Sequence, residues 1–383
     1  VTTVDEQIPP TIDTIVVGAG QAGLATSFHL RRLGVDHLVL DENDSVGAVW
    51  RNRWDSLRLF TPRRYSGLPG LSFPGPEWSF PGKDEVADYL AGYADRFELP
   101  VRTGVGVDRV RRDEVRFVVE SSDGPVRAAN VVVATGAFHH PRVPAFADAL
   151  DDDTVQLHSS DYRRPAQLAD GDVLVVGAGS SGAEIALELS REHRVWLSGR
   201  DPGQEPTRPG SRTDRLLLPV VWFLANRVID VGNPLGRKVR DRFLHPPRGI
   251  PRGRVDRTDL RRAGIEWVGR TSGAADGRPQ LDDGRTLAVA NVVWCTGFVV
   301  DYGWIDLPVF DEYGYPQHRR GVVGSEPGLY FVGLPFQRTL SSPLVGGVGR
   351  DADHVARHVA GRASAERRSP VSDDERLATQ RQG

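Results

Sequence analysis

Two glycine triplets hold the residues whose type and spacing could do chemistry. Gly18-Ala-Gly20-Gln-Ala-Gly23 follows the apolar run Ile15-Val16-Val17, and Gly177-Ala-Gly179-Ser180-Ser181-Gly182 follows Val173-Leu174-Val175-Val176. In such a triplet the first glycine permits a tight turn, the second admits a pyrophosphate against the backbone, and the third lets helix and strand touch. The helix that follows offers free amides and a positive dipole end to the phosphates. Asp41 lies 18 residues beyond Gly23, and Arg200 lies 18 residues beyond Gly182. An acid at that place accepts hydrogen bonds from a ribose 2′-OH, whereas an arginine pairs with a 2′-phosphate. The pattern predicts two different dinucleotides in one chain, FAD in the first site and NADPH in the second, with Arg194, Ser198, Arg208 and Arg212 as further partners for the 2′-phosphate.

The elements that must position these residues are two strand–turn–helix–strand units. The first runs from Thr14 through a helix over 23–33 to His37-Leu38-Val39-Leu40, and the second runs from Asp172 through a helix over 182–191 to Arg194-Val195-Trp196-Leu197-Ser198. Residues 1–11 read as a loose arm, and 84–97 as a helix capped by Asp84. Val131-Val132-Val133-Ala134-Thr135-Gly136 and Val292-Val293-Trp294-Cys295-Thr296-Gly297 read as buried strands ending in a threonine–glycine turn. The fold class expected is α/β, with two Rossmann-like dinucleotide-binding domains, the second inserted into the first. The boundaries are 12–160 plus 288–362 for the FAD domain and 161–287 for the NADPH domain. An irregular insertion occupies 201–262, and 363–383 reads as a charged, unstructured tail. The irregular stretch 47–82 is expected to be a functional loop, and the apolar run 216–229 a buried helix or tunnel wall rather than a membrane contact, although monotopic association is not excluded.

Composition narrows the function classes. The 383 residues carry a net charge of −3, which gives no electrostatic footprint for nucleic acid. Cys295 is the only cysteine, so neither an intramolecular disulfide nor a dithiol redox pair can form. No Cys or acid stands at ligand spacing to His139 and His140, and no metal site is expected. No run reaches the ~20 apolar residues of a membrane span, and no export signal is visible. The expectation is a cytoplasmic protein acting on a small molecule.

The segment from Gly18 to Pro81, with Gly47-Ala-Val-Trp50 and Trp54-Asp-Ser-Leu57, resembles the class B flavin-dependent monooxygenases, which include flavin-containing monooxygenases and YUCCA-type enzymes. The run Val131–Gly136, His158-Ser-Ser-Asp-Tyr162 and Trp294-Cys-Thr-Gly297-Phe continue the resemblance over residues 12–360. It implies FAD reduced by NADPH, O2 as co-substrate, a C4a-hydroperoxide on the flavin, and oxygen transfer to nitrogen or sulfur. Two departures stand out. Of the signature before the second triplet only His158 and Tyr162 remain, with Asp152 and Thr154 in place of Phe and Gly; Tyr162 leans away from the Baeyer–Villiger branch. Phe60 stands where the family has a flavin-side asparagine.

Candidate cofactor contacts are therefore Gly18, Gly20, Gly23, Asp41, Gly47, Trp50, Arg51, Thr135, Gly136, Gly177, Gly179, Ser180, Ser181, Gly182, Arg200, Thr296 and Gly297. Trp50, Arg51, Phe60, Thr61 and His158 are the candidates nearest the chemistry. Rival readings are an NADPH-dependent flavin oxidase or reductase without oxygen insertion, a Baeyer–Villiger enzyme, and a flavin-binding redox regulator that docks through 216–229.

Overall fold

The computed structural model describes residues 8–205, 207–244 and 252–368. Strands β1 (Thr11–Val17), β2 (His37–Asp41), β3 (Val101–Thr103), β4 (Val107–Arg112), β5 (Phe117–Ser121) and β6 (Gly124–Val133) form the first sheet in the order β3-β2-β1-β6-β5-β4. β3, β2, β1 and β6 are parallel, and β4 and β5 add an antiparallel meander. The chain leaves through β7 (His140–Pro141) and builds a second sheet from β8 (Val155–His158), β9 (Val173–Val176), β10 (Val195–Ser198) and β11 (Glu266–Val268). After a hairpin of β12 (Thr271–Ala275) and β13 (Arg278–Leu281), β14 (Asn291–Trp294) completes it in the all-parallel order β11-β10-β9-β14-β8. β15 (Phe298–Val299) pairs with β7, and β16 (Leu329–Phe331) returns to the first sheet beside the second half of β6. The second domain is thus inserted into the first.

Every residue of β9 and β14 is buried, as continuous apolar strands covered on both faces must be. This corrects two boundaries. β8 and β14, assigned from the sequence to the first domain, hydrogen-bond in the second sheet, because β9 needs a buried partner on the side away from β10. Thr11 is already in β1; residues 1–7 of the expected arm lie outside the described residues.

Helices α1 (Gln21–Arg32), α2 (Ala48–Arg51) and α3 (Lys83–Arg96) cover the first sheet with α8 (Gly349–Arg368), while α4 (Ser180–Leu189) opens the second unit. Asp84 is not the cap of α3. The helix begins at Lys83, and the Gly82 amide donates to Glu85 Oε2 at 2.8 Å. α8 continues through 363–368, where an unstructured tail was expected; 369–383 lie outside the described residues. The insertion holds α5 (Arg212–Phe223), a π-helical turn over Leu224–Val228, α6 (Pro234–Leu244) and α7 (Arg257–Arg262).

The expectation of a buried helix over 216–229 fails. Leu216, Leu217, Val220, Val221, Phe223 and Leu224 are all exposed, whereas Asp214 and Asn226 are buried. Apolar composition alone does not say which face of a helix points inward, and here two polar anchors decide it. Asp214 accepts from Thr207 Oγ1 and the Gly210 amide, and the Asn226 side chain accepts from Ser341.

Candidate active site

The two glycine turns have the same construction. Gly18 has φ +102°, and a Cβ there would lie 2.8 Å from the Ala134 carbonyl oxygen; Gly177 has φ +116°, and its Cβ would lie 2.2 Å from that of Cys295. Each first glycine is therefore pressed against the end of the strand that carries the threonine–glycine turn. Each third glycine is pressed back on the first: a Cβ at Gly23 or Gly182 would stand 1.8 Å from the Gly18 or Gly177 oxygen. Gly20 and Gly179, which cap α1 and α4 with extended backbone, have no atom within 4 Å of the Cβ position. Both turns thus present open backbone where a pyrophosphate approaches.

The charges beyond the turns differ in their commitments. Asp41 Oδ2 accepts from the Ala19 amide at 2.6 Å, and Oδ1 accepts from the Asn43 amide and side chain at 2.9 and 2.8 Å. The acid stiffens its own glycine turn and keeps lone-pair capacity for a hydroxyl. Arg200 is exposed after Gly199, with no ion pair or hydrogen bond among the described residues. The other cations expected beside it are occupied: Arg194 pairs with Glu266 at 2.7 Å and Arg208 with Asp259 at 3.2 Å. Ser198 is buried and donates to Gly269. Arg212 is exposed on α5.

Between the turns, Thr135 Oγ1 is buried with no hydrogen-bond partner, and Gly136 and Gly297 hold φ values of +77° and +82° in open space. Thr296 Oγ1 donates to the Arg142 carbonyl, so it fastens the junction instead of facing the cleft. His158, 4% exposed at the end of β8, donates from Nε2 to Gly297 O at 3.0 Å, and its Nδ1 accepts from the Ser160 amide. Burial pushes this imidazole below its ordinary value of 6.5.

The loop over 47–82 ties the two domains together. Trp54 is buried in the core of the second unit with Tyr162, Val175 and Val293, and the Asp55 amide donates to Arg163 O at 2.8 Å. Gly47 packs on α3, where its Cβ would lie 2.7 Å from Ala87 O. Trp50 packs on the first core, and Arg51 pairs with Asp88 of α3 at 2.7 Å on the surface. Thr61 Oγ1 shares a 3.0 Å hydrogen bond with Ser66, and Phe60 is exposed. The structure therefore fixes Gly47, Trp50 and Arg51 to α3 or the core, while Thr61 bonds within its own loop and His158 bonds to Gly297.

Sequence reasoning missed several residues. The Arg53 guanidinium lies over the rings of Phe138 and Phe298, which follow the two threonine–glycine turns, at 5.3 and 5.4 Å. Arg252 is 1% exposed, donates to Ala178 O in the second turn, and pairs with Asp201 at 2.8 Å. Glu184 of α4 faces Arg254, and burial pushes its carboxyl up to about 7. Asp230 of the insertion accepts from Arg338 at 2.7 Å and Arg320 at 3.1 Å, clasping the insertion to the first domain. Asp351 at the start of α8 is buried with Oδ1 unpartnered, and burial pushes it up to about 6. In sequence these look like ordinary surface charges, and no spacing rule marks them as buried pairs. Burial pushes the Cys295 thiol up to about 12, so it is no ready thiolate.

A mixed sheet and an all-parallel sheet, each carrying an open glycine turn and the second unit inserted in the first, define an oxidoreductase built from two dinucleotide-binding domains. The model of the pyridine nucleotide-disulphide oxidoreductase family matches residues 15–221, and the chain belongs to that family; the flavin monooxygenases among its relatives and structural neighbours support the class B resemblance. It is 39% identical over 353 residues to an uncharacterized oxidoreductase CzcO-like protein of Geobacillus kaustophilus, covering 90% of this chain and 97% of that one. A probable indole-3-pyruvate monooxygenase, YUCCA3 of Arabidopsis thaliana, is 28% identical over 91% of this chain and 86% of its own. The solved flavin-containing monooxygenase of Stenotrophomonas maltophilia is 27% identical, with a TM-score of 0.73 over 93% of this chain and all of that one. Among the described residues no helix is long and apolar enough to cross a membrane, and no group of three or more His, Cys, Asp or Glu could hold a metal ion.

Proposed function

We propose that this chain is an FAD-containing, NADPH-dependent monooxygenase that places one atom of O2 on a small organic substrate, with nitrogen and sulfur centres favoured. The observation that carries the reading is the pair of glycine turns with open middle glycines and opposite charges behind them, Asp41 in one and unpaired Arg200 in the other. Gly18, Gly20, Gly23, Asp41, Thr135 and Gly136 would hold FAD; the orphaned Thr135 hydroxyl and the unfilled space at Gly20 fit such a group. Gly177, Gly179, Ser180, Ser181, Gly182 and Arg200 would hold NADPH, with Gly297 beside it.

When bound, the flavin supplies hydride acceptance and oxygen activation. The chain's own part is to orient and to exclude water. Phe138 and Phe298, under the Arg53 guanidinium, flank the junction between the two turns, and His158 holds Gly297 so that the second strand end keeps its position. The relatives named as monooxygenases support the reaction class.

The second reading is an NADPH oxidase that never transfers oxygen. Phe60, an exposed aromatic where an amide was expected, favours it. The test is FAD-loaded protein, NADPH and 18O2 with a panel of amines, thioethers and ketones. Substrate-stimulated NADPH consumption with one labelled oxygen in the product supports the monooxygenase. Peroxide equal to the NADPH consumed with every substrate selects the oxidase, and failure to retain supplied FAD sinks both.

A further inference from the structure

α5 turns a row of large apolar side chains to solvent, and it is held to the protein by Leu218 and Trp222 together with the buried polar anchors Asp214 and Asn226. Leu216, Val220 and Phe223 are 75, 56 and 58% exposed, and Leu217, Val221 and Leu224 form a second exposed stripe beside them. On the opposite side Asp214, Leu218, Trp222 and Asn226, spaced four apart, turn inward; the Trp222 ring lies tilted against Tyr65 with centroids 5.0 Å apart, and Arg350 donates to the Asn226 carbonyl. A usual surface helix buries its large apolar side chains; here Leu216, Val220 and Phe223 stay outside while polar bonds of Asp214 and Asn226 fix the inner side. A contiguous exposed apolar patch marks a place where something other than water is met.

Charge decides what that is. Along 212–241, Arg212, Arg215, Arg227, Arg237 and Lys238 are exposed, and Asp241 is the one exposed acid, since Asp214 and Asp230 are buried. None of those five cations has an ion pair among the described residues. Five exposed cations against one exposed acid make this face positive although the chain as a whole carries −3. A second copy would bring the same cations against themselves with one acid each to offset them. An anionic lipid surface offers apolar chains for the leucine stripe and phosphates for the cations. α5 spans 12 residues, ~18 Å long, and is too short to cross the ~30 Å hydrocarbon layer, so it can only lie in the interface.

We propose that the outer face of α5, continued by Leu224 and Leu235, docks this protein peripherally on membranes bearing anionic lipids. Trp222 and Asn226 bolt that face to the loop over 47–82 and to the segment before α8, so the docked edge adjoins the candidate active site.

Co-sedimentation of the full chain with sucrose-loaded vesicles tests this, using phosphatidylcholine alone and phosphatidylcholine with ~30% phosphatidylglycerol, a composition chosen to give a negative surface potential. Binding is expected to the anionic vesicles only, and to weaken at least about tenfold between low salt and ~0.5 M NaCl. L216S/V220S/F223S and, separately, R212Q/R215Q/R227Q are expected to abolish it while the thermal midpoint stays unchanged, since all six side chains are exposed. The proposal is overturned by no binding, by equal binding to neutral vesicles, or by binding that survives both triple substitutions. It is overturned equally if sedimentation velocity shows a dimer that L216S/V220S/F223S dissociates, which would make this face a self-association interface.

Discussion

His158 Nε2 donates to the Gly297 carbonyl, and that same oxygen accepts from the Arg142 amide at 2.9 Å. One atom thus joins the end of β8, the exit from β14 and the strand that leaves the first domain. Because the Ser160 amide donates to Nδ1, the ring is held neutral with its proton on Nε2.

Two outcomes follow for His158. His158→Ala leaves the Gly297 carbonyl with the Arg142 amide alone and is expected to cost ~0.5–1.5 kcal/mol, the worth of one hydrogen bond, read by urea unfolding; His158→Gln, which keeps an N–H donor, recovers part of it. The unfolded imidazole takes a proton near 6.5 and the folded one only at lower pH, so the unfolded state binds more protons in that window. Stability therefore falls as pH drops below about 6.5, and His158→Gln flattens that fall. An unchanged slope would deny His158 a part in it.

The glycine turns separate folding from binding. Gly23→Ala and Gly182→Ala drive a methyl into backbone 1.8 Å away and are expected to prevent stable folding. Gly20→Ala and Gly179→Ala meet nothing and hold ordinary φ values of −72° and −75°, so their melting temperatures stay near wild type. On the proposed reading the first loses FAD retention and the second raises the KM for NADPH at least about tenfold, because the methyl occupies the pyrophosphate's place.

Arg200 is the exposed, uncommitted cation at the end of the second unit's β10. Arg200→Ala is expected to weaken NADPH by ~1.5–3 kcal/mol, the range for a charge-assisted hydrogen bond, and to leave NADH nearly unchanged. Equal losses for both coenzymes, measured by kcat/KM, would show that Arg200 does not read the 2′-phosphate.

Asp230 is the clasp of the insertion. Burial opposes its ionisation, yet Arg338, the Gly232 amide and Arg320 outweigh it and hold the carboxyl below its ordinary 3.8. Its contribution is present above pH 3.8 and is lost as pH falls through the lower folded value. Asp230→Ala leaves two arginines facing each other without their acid and is expected to cost ~3 kcal/mol. Limited proteolysis within 201–262 should accelerate in parallel.

What the sequence shows of this fold is the part governed by local rules. The glycine triplets, the apolar strands and the charges 18 residues on require particular residue types at fixed spacing, and each appears where expected. Partnerships distant in sequence were hidden. Leu216–Leu224 has the composition of either a core helix or an exposed one, and the choice rests on Asn226 meeting Ser341. Arg252 under the second turn and Asp230 between two arginines read as surface charge because burial of a charge leaves no mark on its neighbours in sequence. Asp41 stands in sequence as a candidate ribose acid, while its bracing of its own turn was not legible, since an acceptor's second duty has no spacing rule.

Trp54 leaves the first domain and ends in the packed interior of the second. Opening the molecule like a pair of jaws would drag an indole out of its socket and expose it to water. On the proposed reading, steps that need different arrangements of the site would have to be reached with the protein's two halves latched at Trp54. A covalent tether between the halves near Trp54 should accordingly leave turnover intact.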